Sequence, residues 1–152
     1  MDRIASFQVD HTKLLPGMYL SRRDGEITTF DLRFKKPNTG VLLTNAEMHS
    51  VEHIIATLLR NSRAKDAVIY FGPMGCQTGF YFLFDSRQLT DDEAVALVKE
   101  VFAAGAAWEG PMPGKSAAEC GNYINLDTAL ARTQCAYYCD VIRDWTVDKL
   151  SY

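Results

Sequence analysis

Apolar side chains recur at intervals of three and four between residues 44 and 62, at Met48, Val51, Ile54, Ile55, Leu58 and Leu59, and this spacing predicts a helix. Thr44 and Glu47 stand at capping-box spacing at its start. Upstream, "GEITTFDLRFKKPN" gathers β-branched and aromatic residues at Ile27, Thr28, Thr29, Phe30, Leu32 and Phe34, and Pro37-Asn38 ends the run, which predicts a strand. Downstream, "AVIYFGPMGCQTGFYFLFD" predicts two strands around a Gly-Pro-Met-Gly-Cys turn. Thr90 to Glu93 forms a second capping box, opening a helix predicted to about Ala107. A Pro/Gly loop, "GPMPGKSAAEC", leads to Cys120, and a third helix is predicted from an N-cap at Asp127 to about Asp144. Strands and helices are mixed without regular β-α-β alternation. The pattern therefore predicts an α+β fold, with helices packed on one face of an antiparallel sheet.

Composition narrows the function classes. The 152 residues are read as one domain, 1–152, large enough to bury a core without disulfides or a structural metal. The formal net charge of -3, with both signs mixed along the chain, argues against nucleic acid as a partner, since phosphate binding wants a basic face. No apolar run approaches the roughly 20 residues that a membrane span needs. The opening "MDRIASFQVD" lacks a signal-peptide apolar stretch, so the expected location is cytoplasmic. Four irregularly spaced cysteines then read as thiols, ligands or nucleophiles rather than as a disulfide framework.

The chain has three histidines, His11, His49 and His53, and two of them share one helical turn in "HSVEH". Residues four apart lie on one helix face, so His49 and His53 can aim ring nitrogens at one ion about 2 Å away. Glu52 reaches the same neighbourhood without having to be a ligand, which is where a general base stands beside a catalytic metal. H-x-x-E-H is also the inverted zincin signature. Histidine pairs at this spacing occur on many helices that bind no metal, but a carboxylate on an apolar helix needs a partner. A catalytic site of this type usually has three protein ligands and one open position. Cys76, Cys120, Cys135, Cys139, His11 and the acids are candidates for the third. Cys120 stands out because it follows a flexible loop and precedes Gly121. Cys135 and Cys139, four apart among apolar residues, read as core thiols. Cys76 follows Gly75 in a tight turn just before a strand. Such a thiol is either a half-buried hairpin residue or, near a cation, a proton shuttle.

Taken together, "SFQVDHT" (6–12), "FDLRFKKPN" (30–38), "HSVEH" (49–53), "GPMGCQTGFY" (72–81) and "ECGNY" (119–123) resemble the S-ribosylhomocysteine lyase (LuxS) family, in its order and over most of the chain. The resemblance implies a homodimeric α+β enzyme with active sites at the subunit interface. It implies one divalent metal per chain, Fe2+ in the cell, with Zn2+ or Co2+ able to substitute. By this likeness His49, His53 and Cys120 are the metal ligands, and Glu52 and Cys76 are the acid/base residues. Ser6, His11, Arg33 and Arg60 match positions that line the substrate pocket. The implied substrate is S-ribosyl-L-homocysteine, whose aldose carbonyl migrates from C1 to C3 before the C5–S bond breaks by β-elimination. The implied products are homocysteine and 4,5-dihydroxy-2,3-pentanedione, the precursor of an autoinducer used in quorum sensing; the same step recycles a methyl-cycle intermediate.

The match departs from the family pattern in three places. Tyr70 and Gly72 stand where relatives commonly carry aspartate and serine, Thr29 where a lysine often sits, and "INLDTA" where a histidine-serine pair is common. Two alternatives remain open at this point. An inverted-zincin hydrolase shares H-x-x-E-H, though it usually needs a longer chain and a downstream glutamate ligand, and it leaves Cys76 without a task. A non-catalytic metal- or ligand-binding relative would hold one metal per chain yet release no thiol.

Overall fold

The structure, a computed structural model, describes residues 1–152. Its regular elements are β1 (Gly17–Asp24), β2 (Ile27–Arg33), α1 (Asn45–Arg60), β3 (Val68–Pro73), β4 (Gly79–Asp85), α2 (Asp91–Ala106) and α3 (Thr128–Val141). The strands form one antiparallel sheet in the order β1-β2-β4-β3. This is the predicted α+β arrangement.

Both capping boxes are present. Thr44 and Thr90 accept from the backbones of Glu47 and Glu93, whose carboxylates accept in return from the cap backbones. Each satisfies backbone donors that a helix start would otherwise leave unpaired. Asp127 caps α3 by accepting from Ala129 and Leu130. The third helix was expected to reach about Asp144 but ends at Val141. There the chain bends so that Ile142 is buried and Trp145 packs against Gly17, where an added Cβ would meet the indole at 2.3 Å.

One strand, β1, has no counterpart in the sequence reading. "GMYLSRRD" offers three apolar residues followed by charge, and a bulge between Leu20 and Arg22 breaks its alternation. It is a strand because β2 pairs with it, through a two-residue turn in which Gly25 takes a φ of 60°.

Strand alternation sorts the sheet into two faces. Phe30, Leu32, Phe80, Phe82 and Phe84 point at the helices and are buried. Phe34 stacks on Tyr138 at 4.2 Å, and Phe102 meets Tyr138 edge-on at 4.8 Å, which locks α2 and α3 to the sheet. The opposite face carries Thr29, Asp31 and Arg33, all at most 2% exposed. Tyr152 from the C-terminal segment covers them, stacking on Tyr19 at 5.0 Å.

A second bulge lies in β3, where the register slips between Val68 and Tyr70. The extra residue turns Phe71 inward and Tyr70 outward. Arg60, the last residue of α1, donates to the carbonyls of Val68 (2.9 Å) and Ile69 (2.6 Å) and so clamps this bulge.

Candidate metal centre and acid/base residues

Helix α1 delivers His49 and His53 to one side, with ring centroids 4.6 Å apart and the planes nearly perpendicular. Cys120 arrives from the loop before α3, and its Sγ lies 3.3 Å from His49 Nε2. One ligand atom from each of the three residues falls within 4.8 Å of the others. Three local features hold the cysteine there. Its N–H donates to Ser116 O, the Asn122 N–H points at Sγ at 3.5 Å, and Ser50 on α1 accepts the Asp127 N–H at 2.9 Å. The last contact pins the end of the Cys120 loop to the helix that carries the histidines.

The other ring nitrogens are also engaged. His53 Nδ1 lies 2.8 Å from Pro113 O, and a carbonyl can only accept, so Nδ1 carries a proton and, in the neutral ring, Nε2 keeps its lone pair. His49 Nδ1 lies 2.6 Å from Asn125 Oδ1. Metal-binding histidines are held in this way, the far nitrogen donating to an oxygen so that the near one can ligate. Two imidazole nitrogens and one thiolate suit a divalent ion of the zinc or ferrous type better than a hard oxygen-seeking one. The residues present therefore fit a resident metal.

Glu52 is half-buried beside this cluster, and its carboxylate has no hydrogen-bond partner in the chain. Burial pushes its carboxyl up from the ordinary value, while the charges of His49 and His53 pull the other way. A cleft of about 290 Å3 opens over it, lined by Glu52, His53, Ala56, Thr57, Pro113 and Gly114. A larger cavity, about 570 Å3, lies elsewhere, between the N-terminal segment and β1 near Tyr19 and Tyr152. The smaller cleft is the chemically relevant one, because it holds titratable groups beside possible metal ligands.

Cys76 is exposed in the turn between β3 and β4. Its polar neighbours are Thr78 Oγ1 at 3.1 Å and Arg33 Nη1 at 3.8 Å, not the triad. Arg33 also donates to Thr78 Oγ1 (2.6 Å) and to both oxygens of Asp31 (3.1 and 2.5 Å), and Tyr152 donates to Asp31 at 2.8 Å. Arg33 and Asp31 thus form a buried, bidentate ion pair. Beside Cys76, Gln77 adopts a left-handed φ of 62° although it is not glycine. The strain is held by Gln77 N donating to Met74 O, by Leu43 N donating to Gln77 O, and by the Gln77 amide donating to Leu43 O. Cys135 is buried, its thiol pushed up to about 12 by burial, and Cys139 is half-buried.

The pocket-lining candidates divide. Ser6 lies in a short turn (Ala5–Phe7), and His11 Nδ1 lies 2.9 Å from Val9 O, both in the N-terminal segment away from the triad. Arg60 spends two of its nitrogens on the β3 bulge. The departures Tyr70 and Gly72 lie against each other: a Cβ on residue 72 would fall 2.0 Å from the Tyr70 hydroxyl, and the exposed ring would have to turn aside. Thr29, in the lysine position, is buried with its hydroxyl unpaired. Asn125, Pro113 and Gly114 were not among the residues expected at the site. The Pro-Gly pair is visible in the sequence, but a main-chain carbonyl partner leaves no side-chain signature.

Fold and site define a compact α+β protein with a two-histidine, one-cysteine donor set able to hold a divalent ion, and an acid group at its side. Comparison with known proteins agrees. A family model for S-ribosylhomocysteinase (LuxS) matches residues 4–148, and the chain belongs to that family. It is 42% identical over 156 residues to the S-ribosylhomocysteine lyase of Finegoldia magna, covering 100% of this chain and 99% of the relative. The S-ribosylhomocysteine lyase of Desulfotalea psychrophila is 46% identical over 158 residues, with the same coverage. That of Clostridium beijerinckii is 44% identical over 137 residues, covering 87% and 86%. The inverted-zincin alternative is thereby set aside. No helix is long and apolar enough to cross a membrane.

Proposed function

We propose that the chain, as one domain over residues 1–152, is a metal-dependent carbon–sulfur lyase. It converts S-ribosyl-L-homocysteine to homocysteine and 4,5-dihydroxy-2,3-pentanedione. The observation that carries this reading is the convergence of His49, His53 and Cys120 within 4.8 Å in a chain of this family. A bound divalent ion, Fe2+ in the cell by likeness to the family, supplies Lewis acidity toward the sugar oxygens.

The chain's own groups move the protons. Moving a carbonyl from C1 to C3 requires protons to pass between adjacent carbons and oxygens. Glu52, desolvated and free of partners, is placed to exchange protons with oxygen. Cys76 serves the carbon centres, with Arg33 and Thr78 holding its sulfur. In the elimination a base removes the C4 proton, the electron pair forms C4=C5, and the C5–S bond breaks; the homocysteine thiolate takes up a proton, and the enol left behind tautomerises, gaining a proton at C5 and losing that of its C4 hydroxyl, to give the dione. By likeness to the family Ser6, His11, Arg33 and Arg60 serve the pocket, Ser6 and His11 across the dimer interface and Arg60 through the bulge that sets Tyr70 on the strand edge.

Two observations support a homodimer with active sites at the interface. Within one chain Cys76 has no polar contact with the triad, and apolar Ile4, Phe7, Leu15, Val41 and Leu42 are exposed. Four free cysteines suit the reducing cytoplasm. The test is anaerobic incubation of metal-loaded protein with S-ribosylhomocysteine, with free thiol measured over time. Thiol release is expected, and Glu52→Gln and Cys76→Ala should each keep the metal and lose turnover. Full metal loading without thiol release would overturn the lyase reading in favour of a non-catalytic relative.

A further inference from the structure

We propose that Asn125 is a positioning residue for the metal ligand His49: it fixes the imidazole tautomer that leaves Nε2 free for the ion. The proposal rests on the metal reading of the triad and extends it to a residue of the altered "INLDTA" segment.

The geometry is directional. Nε2 of His49 is the nitrogen that faces Cys120 Sγ, at 3.3 Å, so it is the one that must keep a lone pair. In a neutral ring the proton then sits on Nδ1, which needs an acceptor. Asn125 Oδ1 is that acceptor, at 2.6 Å. An asparagine amide can present either end, and here the oxygen faces the ring and the nitrogen faces Asn45. Asn125 Nδ2 lies 2.6 Å from Asn45 Oδ1, at the first turn of α1, so the amide nitrogen has its own acceptor and the oxygen is turned to the ring. Asn45 is exposed and competes with water for this contact, whereas Asn125 is half-buried. Asn125 therefore dominates and Asn45 assists.

The arrangement is distinct from that of the neighbouring ligand. His53 is oriented by a main-chain carbonyl, which no substitution removes. His49 depends on one replaceable side chain. Asn125 also closes the short turn Tyr123–Asn125, four positions beyond Gly121, so one amide couples a histidine ligand to the segment that delivers the sulfur.

The experiment compares the full-length wild type with Asn125→Ala, Asn125→Asp and Asn45→Ala. Cobalt affinity is measured by chelator competition, and the histidine tautomers of the metal-free proteins are read from long-range 15N–1H spectra. The wild type should bind cobalt with a sulfur-to-metal charge-transfer band and show His49 protonated at Nδ1. Asn125→Ala should bind about 10- to 100-fold more weakly, the usual effect of losing such a partner. Its His49 should populate both tautomers while His53 keeps the proton on Nδ1. Asn125→Asp, which retains the acceptor, should restore most of the affinity, and Asn45→Ala should lose much less than Asn125→Ala. Wild-type cobalt affinity and an unchanged His49 tautomer in Asn125→Ala would overturn the proposal and leave the metal reading standing. An equal loss in Asn125→Ala and Asn125→Asp would also overturn it, since only the fold would then be at stake. A wild type that takes up no cobalt would overturn the metal reading, and the proposal with it.

Discussion

Replacing Gly114 by alanine tests how tightly the Pro/Gly loop holds the candidate metal site. Gly114 adopts a φ of +67°, and a Cβ there would lie 3.0 Å from His53 Nδ1 and 3.1 Å from Cε1. The left-handed conformation costs a residue with a Cβ about 1–2 kcal/mol. The ring cannot retreat freely, because its Nδ1–H is held at 2.8 Å by the carbonyl of the preceding residue, Pro113. Relieving the contact stretches that hydrogen bond, whose net worth is about 0.5–1.5 kcal/mol. Alanine lowers the entropy of the unfolded chain as well, but where φ is unfavourable the strain exceeds this gain. The sum is a loss of about 2 kcal/mol, or about 4–8 °C in Tm for a chain of this size. Displacing a ligand's outer partner should also weaken metal binding about 10-fold or more. Differential scanning calorimetry and chelator competition measure the two effects. Gly121→Ala is the control: it adjoins Cys120, but its added Cβ meets nothing within 4 Å and its φ lies outside the left-handed region. It should stay within about 0.5 kcal/mol of the wild type. Unchanged stability and metal affinity in Gly114→Ala, or an equal loss in Gly121→Ala, would refute the reasoning.

Two further predictions concern the charged groups of the sheet. Arg33→Met removes the cation from a bidentate pair in which Asp31 is 1% exposed, leaving a buried carboxylate with Tyr152 as its remaining side-chain donor, so urea unfolding should show a loss of about 3–5 kcal/mol; a loss below about 1 kcal/mol would contradict the assignment of the pair as buried. Asp85 accepts from the Arg87 backbone and guanidinium and from Gln88, and these hydrogen bonds, those of Arg87 foremost, hold its carboxyl well below the ordinary value of 3.8. A depressed carboxylate contributes stability above its unfolded value and loses it as pH falls through the folded one. The stability gap between wild type and Asp85→Asn should therefore be constant above about pH 5 and shrink below about pH 4, and a gap that widens on acidification would reverse the sign argued here.

The elements that the sequence displays most clearly are those specified by local chemistry. Thr44 with Glu47 and Thr90 with Glu93 are complete capping devices within four residues, and α1 and α2 begin where they stand. The clustering of His49, His53 and Cys120 was legible because two of them share one helical turn and the third lies in a segment whose neighbours resemble a known family. What was not legible depends on distant partners. β1 owes its conformation to β2, not to its own alternation. The end of α3 is set by Trp145 packing on Gly17, 128 positions earlier in the chain. Arg33 reads as an ordinary basic residue near a strand end; its burial depends on Asp31, Thr78 and a tyrosine at the C-terminus. Asn125 and Pro113 act on histidines more than 60 and about 60 residues away, one through an amide and the other through a carbonyl. No pattern of residue types marks such contacts before the chain is folded.

The central claim is that one ion is held by two imidazoles from α1 and a thiolate from the loop before α3. Metal K-edge X-ray absorption on zinc-loaded protein, purified anaerobically, tests it most directly. The account predicts one sulfur at about 2.3 Å and two imidazole nitrogens at about 2.0–2.1 Å, with the sulfur shell lost in Cys120→Ala. A stoichiometric metal with no sulfur neighbour, or a sulfur shell that survives in Cys120→Ala, would contradict it.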